Sequence, residues 1–257
     1  MGSKPNLSNL ILGSHIHPTT YLATVAVISE WAKASESRYV CAANVHMVME
    51  AHDHPEFRRV VNSADLVTPD GMPLVWILRA RGYKNQERVY GPTLMLKVLE
   101  KAESESIPVG FYGGKLDVLN KLVANMQNRF PHLNIAFTQS PPFGDISDTD
   151  DQSTVNQLMA SGVRILFVGL GCPKQENWMH AHRGQVNAVM IGVGAAFDFY
   201  AGSVKQAPRW MQRSGLEWLF RFSREPARLW KRYVLLNPRF VILSLVEQIR
   251  FWTGENH

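Results

Sequence analysis

The sequence predicts an α/β fold: a largely parallel sheet flanked by helices, followed by a basic helical appendage. Three observations carry this. Short β-rich runs alternate with longer segments of helical spacing, most of those runs leave through turns rich in Gly, Pro or Asn, and basic residues and tryptophan concentrate toward the C-terminus. Strand-helix alternation implies parallel strands covered on both faces. The turns gather polar loops along one sheet edge, where open α/β sheets place their chemistry.

Taken in chain order, residues 21–34 have helical spacing and 38–43 (RYVCAA) read as a strand that ends just before Asn44 and His46. A second strand over 66–68 runs into Pro69-Asp70-Gly71. That tripeptide has the composition of a β-turn, with Pro presetting φ, Asp bonding its own backbone and Gly supplying a positive φ. Its place between a buried strand and a helix equally suits a carboxylate that does chemistry. After a helix over 93–103, the strand 108–112 opens into GFYGGK (110–115). Backbone N–H groups of Gly113 and Gly114, with the charge of Lys115, suit a phosphate at the start of the helix 116–129; a plain strand-to-helix turn fits as well.

The strand 134–138 and the helix 151–160 precede the strand 164–169 (RILFVG), which exits through Gly169 and Gly171 into a helix over 173–182 opened by Pro173. Lys174, Gln175 and Glu176 fall in its first turn and are expected to project toward a ligand. The last strand, 188–194 (AVMIGVG), ends at Gly194. Asp198, the only charge in the small-residue stretch that follows, suits a ribose or a base, a helix cap, or an arginine of the appendage.

With 257 residues, 46% hydrophobic and 19% charged, the chain suits one large globular domain with an appendage. Cys41 and Cys172 have no CxxC or zinc spacing, so no disulfide framework is expected. Cys172 lies near a helix start, which would lower a thiol pKa, but no partner histidine is near in sequence and a small buried residue is the plainer reading. HDHPEF (52–57) spaces its histidines two apart, off any common helix face, with no second cluster to complete a metal shell. Neither a metal nor a cofactor is expected. MGSKPNLSNL lacks the apolar core of a secretory signal, which points to a reducing, cytoplasmic setting.

From residue 204 onward ten Lys and Arg face four Glu, and four of the seven tryptophans lie there. Residues 1–203 therefore read as a core and 204–257 as an appendage. Basic side chains among tryptophans suit an anionic membrane surface, a nucleic acid or a phosphate-bearing ligand. Trp218 sits among Leu216, Leu219 and Phe220, which favours packing or lipid over nucleic-acid contact. The most apolar stretch, 233–246, falls short of the ~20 residues that span a bilayer, and an exposed apolar appendage favours self-association. A dehydrogenase on this fold would want a GxGxxG block, which is missing; a nucleotide- or nucleic-acid-binding module with a basic tail is the alternative reading.

In order along the chain, ANVHMV (43–48), NSADLVTPDGMPLVW (62–76), ERVYGPTLM (87–95), GFYGGK, VGLGCPKQENW (168–178), the block from IGVGAAFDFYAG to LWKRY (191–233) and NPRF (237–240) closely resemble the WecG/TagA/CpsF family of bacterial glycosyltransferases. The resemblance covers nearly the whole chain. It implies a Rossmann-like core and an inverting, metal-independent transfer of a sugar from a UDP-sugar donor to a polyprenyl-diphosphate-sugar acceptor. It also implies action at the inner face of the plasma membrane in surface-polysaccharide synthesis, with a C-terminal appendage that closes the site and engages lipid. By the family's motifs, the proposed catalytic base is Asp70, the Asn after the first strand is Asn44, the Arg of RVxG is Arg88 and the Gln of PKQE is Gln175. Appendage positions that reach the site are Arg221, Arg228 and Lys231. Some relatives carry Thr two residues before the Asn; Ala42 stands here, so that hydroxyl contact is expected to be absent. Likeness of residues 44–46 to exopolysaccharide-type members leans toward a hexose donor, with an N-acetylhexosamine the other choice.

Overall fold

The computed structural model describes residues 9–142 and 148–253, so most of the N-terminal stretch read above lies outside the described residues. A two-residue hairpin, β1 (Leu10–Ile11) and β2 (Ser14–His15), leads into α1 (Tyr21–Lys33) and β3 (Arg38–Ala43). Then come α2 (Val45–Asp53), α3 (Pro55–Asn62), β4 (Leu66–Pro69), α4 (Met72–Ala80), α5 (Gly91–Ser104), β5 (Val109–Gly113), α6 (Leu116–Arg129), β6 (Ile135–Gln139) and α7 (Asp148–Ser161). The chain continues through β7 (Ile165–Gly169), α8 (Lys174–Ala181), β8 (Val189–Gly192) and α9 (Ala196–Tyr200). It ends in α10 (Arg209–Arg213), α11 (Glu217–Arg224), α12 (Pro226–Trp230), a π-helical turn over Lys231–Leu236 and α13 (Asn237–Thr253).

Six strands form one parallel sheet in the order β4-β3-β8-β7-β5-β6. Alternation along each strand sends neighbouring side chains to opposite faces. Tyr39, Cys41, Leu166, Val168 and Met190 join one buried cluster, whereas Val40, Phe111, Ile165, Phe167, Val189 and Ile191 join the other. Helices α2, α3, α4, α7 and α8 cover the first cluster; α1, α5, α6 and α9 cover the second. The sheet is thus Rossmann-like, with crevices where neighbouring strands send their helices to opposite faces. One lies between β3, followed by α2, and β8, followed by α9. Another lies between β7, followed by α8, and β5, followed by α6.

The segment after residue 203 crosses these strand ends. Its last helix, α13, buries Phe240 in the first cluster and is clamped at its far end. Arg81 of the loop after α4 pairs with Glu247 at 2.7 Å and donates to Gln248 Oε1 at 2.9 Å, and Leu12 N–H donates to Glu247 Oε1 at 2.9 Å. The opposite side of α13 exposes Val241, Ile242, Leu245, Val246, Ile249 and Trp252.

Candidate active site

Asp70 sits where β4 meets α4. Its N–H and that of Gly71 both donate to the Ala43 carbonyl, at 2.8 and 3.0 Å, so the ends of β3 and β4 are stapled together. Pro69 is a ladder residue opposite Ala43, and Gly71 has φ −81°, not the positive value a free Pro-Asp-Gly turn would ask of it. Glycine is needed there for closeness instead, because a Cβ would come within 3.2 Å of Asn44 Cα. The Asp70 carboxyl is carried on a rigid strand end. Burial, the largest influence, pushes its pKa up to about 6 against the pull of Arg88, with Glu217 adding to the rise.

Arg88 is held from several sides. Its Nε donates to the Asp70 carbonyl, Nη1 to the Gln212 carbonyl at 3.2 Å and Nη2 to Glu217 at 2.7 Å, while the guanidinium stacks on Tyr90 at 4.1 Å.

These groups open onto a cleft of about 1720 Å³ along the carboxyl ends of the strands, roofed by α9 and by α11 to α13. Asn44 caps α2, its Oδ1 accepting from Met47 N–H at 3.3 Å and from Arg232 Nη2 at 3.1 Å. His46 in the first turn of α2 has its pKa pushed down to about 4, first by burial and then by Arg232, so the imidazole is neutral. Its buried Nδ1 has no partner among the described residues, and neither has Arg221 Nε. Burial also lowers the Arg232 pKa, with Arg221 contributing. Cations placed in this way are costly unless an anion meets them. Asp198 lines the same wall, its pKa raised mainly by burial against Arg228, Arg221 and Lys115.

On the α8 side Gln175 lies across the strand ends. Its Oε1 accepts from Gly194 N–H at 3.2 Å and its Nε2 donates to Glu176 at 2.6 Å, which sets the orientation of the amide. Glu176 corrects the expectation that the whole first turn faces a ligand. It is fully buried, behind Gln175, and burial pushes its pKa up to about 7. Burial also raises the Cys172 thiol well above its ordinary value, so the helix start does not activate it.

Gly114 and Lys115 line the cleft but Gly113 does not. Gly113 packs against β7, where a Cβ would lie 2.6 Å from the Gly169 carbonyl, and the Gly114 N–H donates to that carbonyl at 3.1 Å. The Gly114 N–H is therefore not the free phosphate-binding group read from GFYGGK, and Gly113 lies off the cleft. Gly171, Lys174, Gly194, Arg221, Arg228 and Lys231 all line the cleft with Asn44, His46, Asp70, Arg88, Gln175 and Asp198. Ala42 lines it as well, without a hydroxyl to offer. Sequence reasoning missed Glu217, Tyr90 and Arg232. The only local signal for Arg232 was its place beside Lys231, in a π-helical turn whose phase a helical count does not anticipate.

Residues 10–254 match the Glycosyl transferase WecG/TagA/CpsF family. The chain is 32% identical, over 82% of its length and 80% of the relative's, to the N-acetylglucosaminyldiphosphoundecaprenol N-acetyl-beta-D-mannosaminyltransferase of Bacillus spizizenii. It is 30% identical, over 81% of its length and 79% of the relative's, to the Bacillus subtilis protein of the same name. A carboxylate at a switch-point cleft ringed by cations thus stands in a chain that belongs to the WecG/TagA/CpsF family and is a glycosyltransferase.

Proposed function

We propose that this glycosyltransferase moves an N-acetylhexosamine from a UDP-sugar to a polyprenyl-diphosphate-linked sugar, with inversion and without a metal. The observation that carries this reading is the facing of Asp70 across one cleft by Arg221 and Arg232, cations with no ion pair among the described residues. Asp70 takes the proton of the acceptor hydroxyl as its oxygen attacks the anomeric carbon, and the sugar–phosphate bond breaks with its electron pair going to UDP. Charge growing on the leaving diphosphate is met by Arg221, Arg228, Lys231 and Arg232. The two relatives handle N-acetylmannosamine by name, which favours the N-acetylhexosamine donor over the hexose.

The acceptor's lipid calls for a membrane surface. The exposed apolar face of α13, with Arg250 in its last turn, suits the inner face of an anionic bilayer. Among the described residues no helix is long and apolar enough to cross a membrane. A second copy of the chain can cover the same face in solution. On this reading residues 204–257 form the functional appendage that completes the site, and 1–203 the core that holds donor and base.

The test is a panel of UDP-glucose, UDP-N-acetylglucosamine and UDP-N-acetylmannosamine with short-chain polyprenyl-diphosphate-N-acetylglucosamine, with and without EDTA, the product identified by mass. Transfer from an N-acetylhexosamine donor, undiminished by EDTA, is expected. No transfer from any donor refutes the substrate reading, and loss of transfer in EDTA refutes metal independence.

A further inference from the structure

Two carboxylates compete for one corner of the Arg88 guanidinium. Nη2 lies 2.7 Å from Glu217 Oε2 but 3.4 Å from Asp70 Oδ1. The three side chains are only 12 to 16% exposed, so water screens the competition weakly. Glu217 is anchored twice, since the Tyr90 hydroxyl donates to its other oxygen at 3.1 Å while the Tyr90 ring supports the guanidinium from below. The remaining arginine donors go to the Asp70 and Gln212 carbonyls. What reaches the Asp70 carboxylate is the longest of these contacts.

We propose that Glu217 is a positioning residue for the transfer: it draws the Arg88 guanidinium off Asp70 and leaves that carboxylate free to take the acceptor proton. The inference rests on the reading of Asp70 as the general base. A guanidinium seated squarely on Asp70 would hold it ionised and make it a poor proton acceptor. Glu217 comes from α11, 129 residues further along the chain than Arg88, so the base reaches its working state only with the C-terminal segment docked over the cleft. The other groups facing Asp70 are the cations Arg221 and Arg232 of that segment and the hydroxyls of Tyr21 and Tyr90. Among these Glu217 is the one anion.

The experiment compares full-length wild type with Glu217→Gln, which removes the charge and keeps an oxygen that can accept from Arg88. Carboxyl titration is followed by NMR on chain labelled with 13C at the aspartate carboxyls, with Asp70 assigned by its loss in Asp70→Asn. The pH profile of kcat/KM is measured alongside, with the donor that the panel identifies. In Glu217→Gln the Asp70 midpoint is expected about one pH unit lower, and the acid limb of the profile moves with it. A midpoint unchanged or higher overturns the proposal, and a merely structural Glu217 would give that result. A midpoint that falls while the acid limb stays put leaves Glu217 in control of Asp70 and refutes instead the reading of Asp70 as base. Should Glu217→Gln fail to fold, Tyr90→Phe loosens the same anchor; its Asp70 midpoint is expected to move in the same direction by less, and no movement overturns the proposal.

Discussion

Arg232 Nη2 donates to Asn44 Oδ1 at 3.1 Å, and among the described residues no carboxylate forms an ion pair with that guanidinium. A cation removed from water and left without an acid costs the empty protein stability. Arg232→Met is therefore expected to lower affinity for UDP at least about tenfold, the loss of one charge-assisted hydrogen bond, without lowering resistance to urea. Calorimetric titration with UDP and an unfolding curve check the pair. Unchanged UDP affinity would remove Arg232 from the diphosphate site.

Asp70→Asn separates chemistry from binding. Turnover is expected to fall at least about 100-fold while UDP still binds. In wild type the carboxylate is the working form, so kcat/KM should decline as pH falls through about 6. Stability runs the other way. The folded-state pKa lies above the ordinary 3.8, so the native state holds this proton more tightly than the unfolded chain does. The resulting stabilisation is complete below 3.8 and is lost as pH rises through about 6. Asp70→Asn should accordingly melt at or above the wild-type temperature at pH 7.5, with the gap closing toward pH 4. Near-normal turnover in this variant would exclude Asp70 as the base.

The exposed face of α13 is testable apart from the cleft. Leu245 and Ile249 are 58% exposed each and lie one turn apart, away from the clamp that Arg81 makes to Glu247 and Gln248. Leu245→Lys with Ile249→Lys is expected to weaken partitioning onto phosphatidylglycerol vesicles by at least about tenfold. Turnover on a short-chain acceptor in solution should be unaltered. Sedimentation with vesicles and a solution assay read the two arms; unchanged vesicle binding would sink the lipid-docking role of α13.

Six strands and most of the long helices are legible from periodicity alone. RYVCAA is the strand Arg38–Ala43 as read, and the helix over 116–129 is Leu116–Arg129. These elements have strong apolar patterns bounded by Gly, Pro or Asn, signals that lie within a few residues of one another. The helices α2 and α3 escape the same reading because they are short and Pro55 interrupts the pattern between them. The two-residue strands of the N-terminal hairpin offer no periodicity to read. Asn44, Asp70, Gln175 and Asp198 could be picked out because each follows a strand end, and in a parallel sheet all those ends share one edge.

The constellation that matters for chemistry was decided by approach in space. Local order cannot say that Gly114 N–H is taken by the Gly169 carbonyl, that Glu176 turns inward, or that Arg88 answers to Glu217 more closely than to Asp70. Apolar patterning is read residue by residue along the chain. The state of a buried charge is set by whichever other charges the fold brings within a few ångströms. For Arg88 the carboxylate of Glu217 is 129 residues away, where no spacing rule reaches.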